Sequence, residues 1–231
     1  MVFKDLGMIV AAGGSGSRFS SQINKLLVNC HGKPILVLTL EKFISVIEPG
    51  KLVVAAPEDQ LALMQDLTDK FLPGNQIRWT PGGATRVASV ARAAALLPTN
   101  IRWVAIHDAA RPLADVSLLE ELLRTVREVG GAVPGIKMID TVKLLDDSGL
   151  IAQNLIRKDL AAVATPQVFD YLSYMHALQA LAPEIVDGTY EDAQLTDDAA
   201  IFMRSGGKVK VVYTNNANPK ITTPEDLSKL N

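Results

Sequence analysis

The sequence predicts an α/β fold: a three-layer sandwich with a mostly parallel sheet at its centre. Three observations predict it. Short strand-like runs at 7–12, 51–56, 76–80 and 101–106 alternate with helix-like stretches at 34–47, 58–71, 85–97 and 115–129. The first of them, 7–12, is apolar throughout rather than at every second position, as in a strand covered on both faces. Strand–helix units of this length impose parallel pairing with right-handed crossovers, which places helices on both sides of the sheet.

Taken in order, the run Gly7–Ala12 (GMIVAA) ends at a cluster of glycines, as a buried strand does where it turns into a loop. The stretch 34–47 opens with Pro34, suited to a first helical position, and keeps a broad apolar face. Lys51–Ala56 reads as a second strand, 58–71 as a second helix and 76–80 as a short strand. Thr85–Leu97 is rich in alanine, the strongest helix former. Ile101–Ile106 is a fourth strand, followed by a helix at 115–129. The regularity breaks near residue 136, where 141–145 and 150–155 flank Asp146-Asp147-Ser148-Gly149 and read as a hairpin with a four-residue turn. A two-stranded ribbon is marginal alone in water, so this arm is expected to pack on something further, such as another subunit. The chain returns through 160–165, a helix at 167–182, a polar loop at 184–195, a helix at 196–205, a strand at 208–213 and a helical turn from Pro224. No repeat or linker interrupts it, so the expectation is a single domain over 1–231 with an arm at about 137–158.

Composition narrows the function. The 23 Lys+Arg against 25 Asp+Glu give a net charge of −2, which argues against wholesale nucleic-acid binding but leaves room for a compact cationic pocket. Cys30 is the lone cysteine, so no internal disulfide forms, and neither C-x-x-C nor H-E-x-x-H occurs. No apolar stretch approaches the ~18 residues of a membrane span, and no secretory signal pattern stands at the N-terminus. The expectation is a cytoplasmic protein without membrane or nucleic-acid partners.

In parallel sheets ligands bind at the carboxyl ends of the strands, so the loops there hold the chemistry. The first reads Ala12-Gly13-Gly14-Ser15-Gly16-Ser17-Arg18-Phe19. Its glycines allow main-chain N–H groups to approach a phosphate, although an ordinary tight turn uses them equally well. Phe19 stands where a dinucleotide fingerprint needs glycine, which disfavours a dehydrogenase, and the Gly-Lys-Ser/Thr of a Walker A loop is absent. Arg18 and Lys25 are two cations that could meet on one polyanion, or two solvated surface charges. The second loop, His107-Asp108-Ala109-Ala110-Arg111-Pro112, puts an aspartate at a strand tip, able to ligate Mg2+, cap a helix or pair with Arg111. His107 reads as a packed, hydrogen-bonded histidine rather than a base. Gly82-Gly83-Ala84-Thr85 turns into a helix whose N-terminal amides favour an anion.

In this order, AGGSGSRF (12–19) with Lys25, GGATRVASV (82–90), HDAARP (107–112), DTVK (140–143), Arg157 followed by ATPQVF (164–169), TDDAA (196–200) and NPKITTPEDL (218–227) resemble the 2-C-methyl-D-erythritol 4-phosphate cytidylyltransferase family nearly end to end. The resemblance implies a Rossmann-like nucleotidyltransferase domain that joins CTP to a sugar-alcohol phosphate and releases pyrophosphate, in non-mevalonate isoprenoid precursor synthesis. It implies catalytic roles for Arg18, Lys25, Arg157 and Lys220. Ala12, Gly13, Gly14, Gly16, Gly83, Ser89 and Asp108 match nucleotide-binding positions. Asp108, Arg111, Thr141, Thr165, Thr196 and Thr222 match positions around the acceptor, and Asp108 the ligand of Mg2+ or another divalent cation. It further implies a homodimer in which the arm is exchanged, so that Thr141 and Arg157 serve the neighbour's site.

This sequence departs from the family's usual pattern at several points. Asn24 and Leu26 flank the loop lysine where proline and glutamine are usual. Ala84 and Ala88 replace acidic positions near the base pocket, Asp198 stands where glutamate is commoner, and Ser17 replaces Arg or Thr. The competing readings are a cytidylyltransferase for ribitol 5-phosphate and a nucleotide-binding paralogue without catalysis.

Overall fold

The structure, a computed structural model, describes residues 2–13, 19, 24–182, 195–215 and 218–230. Its centre is an eight-stranded sheet in the order β10-β7-β11-β6-β1-β4-β5, with β12 also on β7. The strands are β1 Leu6–Ala11, β4 Leu52–Ala56, β5 Arg78–Pro81, β6 Trp103–Asp108, β7 Gly130–Lys137, β10 Ala161–Val163, β11 Gln167–Asp170 and β12 Lys208–Tyr213. Pairing is parallel for β1–β4, β1–β6, β4–β5 and β7–β12, and antiparallel where β11 and β10 join. Two short ribbons stand apart, β2 Asn29–Cys30 with β3 Lys33–Pro34 and β8 Lys143–Leu145 with β9 Ile151–Asn154.

Alternation along the strands creates two cores. Leu6, Met8 and Val10 of β1 face one side, where they join α1 (Ile35–Ile44), α2 (Leu61–Phe71) and α4 (Leu118–Val129) through Leu40, Met64 and Leu122. Ile9 faces the other, with Val53, Val104 and Ile106, against α3 (Arg86–Ala94), α5 (Tyr171–Ala180) and α6 (Asp198–Arg204). This is the expected three-layer sandwich. Gly130 ends α4 in the left-handed region at φ 96°, a conformation that a side chain strains, and turns the chain directly into β7.

Two expectations need correction. Residues 130–137 carry a central strand where no strand is expected: glycines and Pro134 give the segment the look of a turn. Pro134 falls in the gap between β11, paired with Gly131 and Ala132, and β10, paired with Gly135 to Lys137. A missing N–H is tolerable there, and the Pro134 carbonyl accepts from Ala164 N at 2.9 Å. Residues 167–170 are strand β11 rather than the first turn of a helix. The helix starts at Tyr171, capped by Asp170, whose carboxylate accepts from Ser173 N at 3.0 Å. Because β11 enters between β6 and β7, it sets an antiparallel strand in the middle of the sheet.

The 141–155 hairpin forms as expected. Asp146 fixes its turn, its carboxylate accepting from the backbone N–H of Ser148 and Leu150 at 2.9 and 3.0 Å. Among the described residues no helix is long and apolar enough to cross a membrane.

Candidate active site

The register of β1 against β6 sets Ala11 beside Asp108, and Ala109 N donates back to the Ala11 carbonyl at 3.0 Å. The chain therefore leaves β1 at Ala12 and Gly13 beside the point where it leaves β6 at Ala109. Gly82 N donates to the Ala56 carbonyl at 2.8 Å, which brings in the turn before α3. Between them lies a cleft of about 170 Å3, lined among others by Gly13, Lys25, Gly83, Arg86, Asp108 and Lys220.

The turn before α3 is closed on itself. Thr85 caps the helix by accepting from Ala88 N at 3.1 Å, and Ser89 Oγ accepts from Gly83 N at 3.0 Å while donating to the Thr85 carbonyl at 2.9 Å. A Cβ on Gly83 would lie 2.4 Å from that of Ala88, so only glycine fits. The Ser89 hydroxyl thus shapes this wall from behind.

Asp108, 7% exposed, is surrounded by cations: Arg86 Nε at 3.4 Å from Oδ1, Arg111 Nε at 3.3 Å and Lys220 Nζ at 2.9 Å from Oδ2. Burial alone would raise its pKa, but Arg86, Lys220 and Arg111 more than offset this and hold the carboxyl well below the usual range. Lys220 reaches it from the C-terminal segment, whose Ile221 is fully buried and donates its N–H to the Ala110 carbonyl at 2.8 Å. Asp226 braces that segment by accepting from Thr222 N, Thr222 Oγ1 and Thr223 N at 2.7 to 2.9 Å. Behind Asp108, burial depresses the His107 pKa to about 4, partly offset by the neighbouring Asp108 carboxylate. Its Nε2 lies 3.2 Å from the Arg111 carbonyl, which can only accept, so Nε2 carries the proton. Nδ1 then accepts from Thr165 Oγ1 at 3.0 Å, and that oxygen accepts from Asp108 N at 3.1 Å. His107 is a packed, neutral histidine.

Arg86 was absent from the sequence-derived candidates. It begins α3, touches Asp108 and places Nη2 2.7 Å from Oδ2 of Asp198, which is fully buried and also accepts from the Tyr174 hydroxyl at 2.6 Å. Nη1 is buried with no hydrogen-bond partner among the described residues. The only signal in the sequence was a cation at the start of a helix that follows a glycine turn.

Of the other expected residues, Ala12, Gly13, Lys25, Gly83, Ser89, Asp108 and Lys220 line the cleft together. Gly14, Gly16 and Arg18 lie outside the described residues. Arg111 and Thr165 line an adjoining cavity of about 170 Å3 beneath β7 and β10. Thr222 bonds to Asp226, and Thr196 is exposed just before α6. Thr141 and Arg157 sit on the arm, exposed and lining neither cavity; Arg157 Nη1 donates to the Ile139 carbonyl at 2.7 Å. No group of three His, Cys, Asp or Glu side chains able to hold a metal occurs among the described residues. The residues fit a divalent cation only as Mg2+ is commonly bound on nucleotides, with one carboxylate, Asp108, and the remaining ligands from phosphate oxygens and water.

A cationic cleft at the carboxyl edge of a mostly parallel sheet, walled by glycine turns, defines an α/β protein of the nucleotide-handling class. Comparison with known proteins narrows the class. The family model for 2-C-methyl-D-erythritol 4-phosphate cytidylyltransferase (IspD) matches residues 6–231. A protein of that name from Clostridium botulinum (strain 657 / Type Ba4) is 33% identical over 220 residues, covering 95% of this chain and 93% of the relative. Another from Carboxydothermus hydrogenoformans is 34% identical over 226 residues, 96% of this chain and 92% of that one. The crystal structure of 4-diphosphocytidyl-2C-methyl-D-erythritol synthase from Anaerococcus prevotii superposes with a TM-score of 0.79 at 26% identity, covering 98% and 96% of the two chains. The chain belongs to the 2-C-methyl-D-erythritol 4-phosphate cytidylyltransferase family.

Proposed function

We propose that the protein transfers CMP from CTP to 2-C-methyl-D-erythritol 4-phosphate with release of pyrophosphate. The observation that carries this reading is the meeting of Lys25, Arg86, Asp108 and Lys220, drawn from distant parts of the chain, around one cleft edged by Gly13 and Gly83. The reaction brings two polyanions together, so positioning and charge neutralisation dominate. A phosphate monoester is already largely ionised near pH 7, so no general base is needed. The neutral, enclosed His107 agrees with that.

In this reading the glycine loop and the Gly83 turn hold the triphosphate and the base. Lys25, with Arg18 from the neighbouring loop, stabilises the charge that builds on the α-phosphate oxygens. Lys220, half-exposed and resting on Asp108, is placed to take the attacking phosphate, with Arg111 and the threonines Thr165, Thr196 and Thr222 on the acceptor side. A divalent cation bound by Asp108 and the triphosphate would supply further charge neutralisation.

The arm completes the reading. β8 and β9 pair with no other strand among the described residues, and Ile139, Leu144, Leu145, Leu150, Ile151 and Ile156 are exposed along it. Covering these side chains with a second copy would give a homodimer in which Thr141 and Arg157 reach the neighbour's cleft.

The test is pyrophosphate release from CTP with Mg2+ and either 2-C-methyl-D-erythritol 4-phosphate or ribitol 5-phosphate. Turnover with the first alone is expected. Turnover with ribitol 5-phosphate alone would reassign the acceptor, and CTP binding without turnover would leave a non-catalytic nucleotide binder.

A further inference from the structure

Lys25 stands on a single turn, Lys25–Leu27, and the side chain that begins this turn does two things at once. Asn24 Oδ1 accepts from Leu26 N at 3.0 Å, capping the turn, and Asn24 Nδ2 donates to Gln60 Oε1 at 2.7 Å. Gln60 is itself fixed, closing the turn after β4 through its N–H on the Pro57 carbonyl at 3.0 Å. From below, Leu26 is 2% exposed and anchored in the core. The turn is thus pinned on its buried side by an apolar side chain and on its open side by an amide cap joined to the turn that follows β4.

From this geometry we infer that Asn24 is a positioning residue for Lys25, acting through its cap and through Gln60. The inference rests on the catalytic role of Lys25 proposed above. A lysine carries its charge on a flexible four-carbon stem, so the backbone must limit where that charge can go. The backbone of residue 24 lies at φ −68° and ψ 120°, values a pyrrolidine ring takes without strain. A proline here would restrict the same turn through its ring, whereas this chain does so through two hydrogen bonds.

The experiment compares Asn24→Ala, Gln60→Ala, Asn24→Ala/Gln60→Ala and Asn24→Pro by steady-state kinetics and thermal unfolding. Asn24→Ala is expected to lower kcat about 10-fold, since misplacing a reacting group by an ångström can cost far more. KM for CTP should change less than about twofold, and the melting temperature by no more than about 2 °C, as befits a partly exposed site. Gln60→Ala should give part of that loss, the double variant no more than Asn24→Ala, and Asn24→Pro should recover most of it. Wild-type kcat in Asn24→Ala, or a loss that vanishes once rates are referred to folded protein, would overturn the inference. A wild-type protein that releases no pyrophosphate would instead refute the proposed function.

Discussion

Arg86 gives the sharpest energetic prediction. Its guanidinium lies 2.7 Å from Asp198, a carboxylate with no exposed surface whose other oxygen accepts from Tyr174 at 2.6 Å. Burial works against the charge on Arg86, but Asp198 and Asp108 more than compensate and keep it protonated. Replacing Arg86 by methionine retains much of the packing and leaves Asp198 charged, buried and without its cation. Removing one partner of a buried pair costs about 3–5 kcal/mol. For a chain of this size, each kcal/mol moves the melting temperature by about 2–4 °C, so a fall of roughly 6–20 °C is expected. Asp198→Asn keeps the Tyr174 contact and leaves Arg86 with Asp108, so its cost should be nearer 1–3 kcal/mol, roughly that of an unsatisfied buried group. The double variant should be more stable than Arg86→Met alone, because the stranded charge is gone. Urea unfolding of all four proteins measures the coupling, expected at about 2 kcal/mol or more. Strict additivity, or a loss below about 1 kcal/mol in Arg86→Met, would refute the reasoning.

Three further outcomes are expected. His107 has a folded-state pKa near 4 against 6.5 for an ordinary histidine, so the unfolded chain binds the extra proton first. Stability should fall as pH drops from about 6.5 to 4, by up to about 3 kcal/mol, and His107→Gln should flatten that slope in pH-dependent urea unfolding. The Asp108 carboxyl, also depressed in the folded state, costs stability in the same sense but only below this window, because its cations hold it well below the usual range. Gly83→Ala forces a contact at 2.4 Å with Ala88, so the turn must open; KM for CTP should rise by at least about 10-fold, and an unchanged KM would remove Gly83 from the nucleotide wall. Leu145→Asp/Ile151→Asp sets two like charges at a paired position on the arm; under the proposed arm exchange, light scattering should report a dimer for the wild type and a monomer for the variant, and a dimer in both would place the interface elsewhere.

Much of the fold was legible because its buried strands are short apolar runs and its helices keep one apolar face. β7 was not, since its glycines and Pro134 resemble a turn until β10 and β11 are seen to divide its edge between them. β11 was not, because Gln167–Asp170 is too short to show a period and runs directly into a helix. Within the site, the strand-tip loops at 12–13 and 107–108 announced themselves by following continuous apolar runs. Arg86 did not: its meaning lies in Asp198 and Tyr174, brought to it only when α3, α5 and α6 pack on one face of the sheet. Ser89 illustrates the opposite case, a polar residue in a telling motif whose hydroxyl is occupied in shaping its own turn.

The proposed reaction requires Lys220 to bear its charge at a shared reaction site rather than simply to pair with Asp108. Single-turnover pyrophosphate release by Lys220→Gln, with CTP and 2-C-methyl-D-erythritol 4-phosphate both saturating, tests this directly. A rate at least about 100-fold below wild type, in a protein that still binds CTP, is the predicted result. A rate equal to wild type would mean that the cleft around Asp108 is not where the phosphates meet.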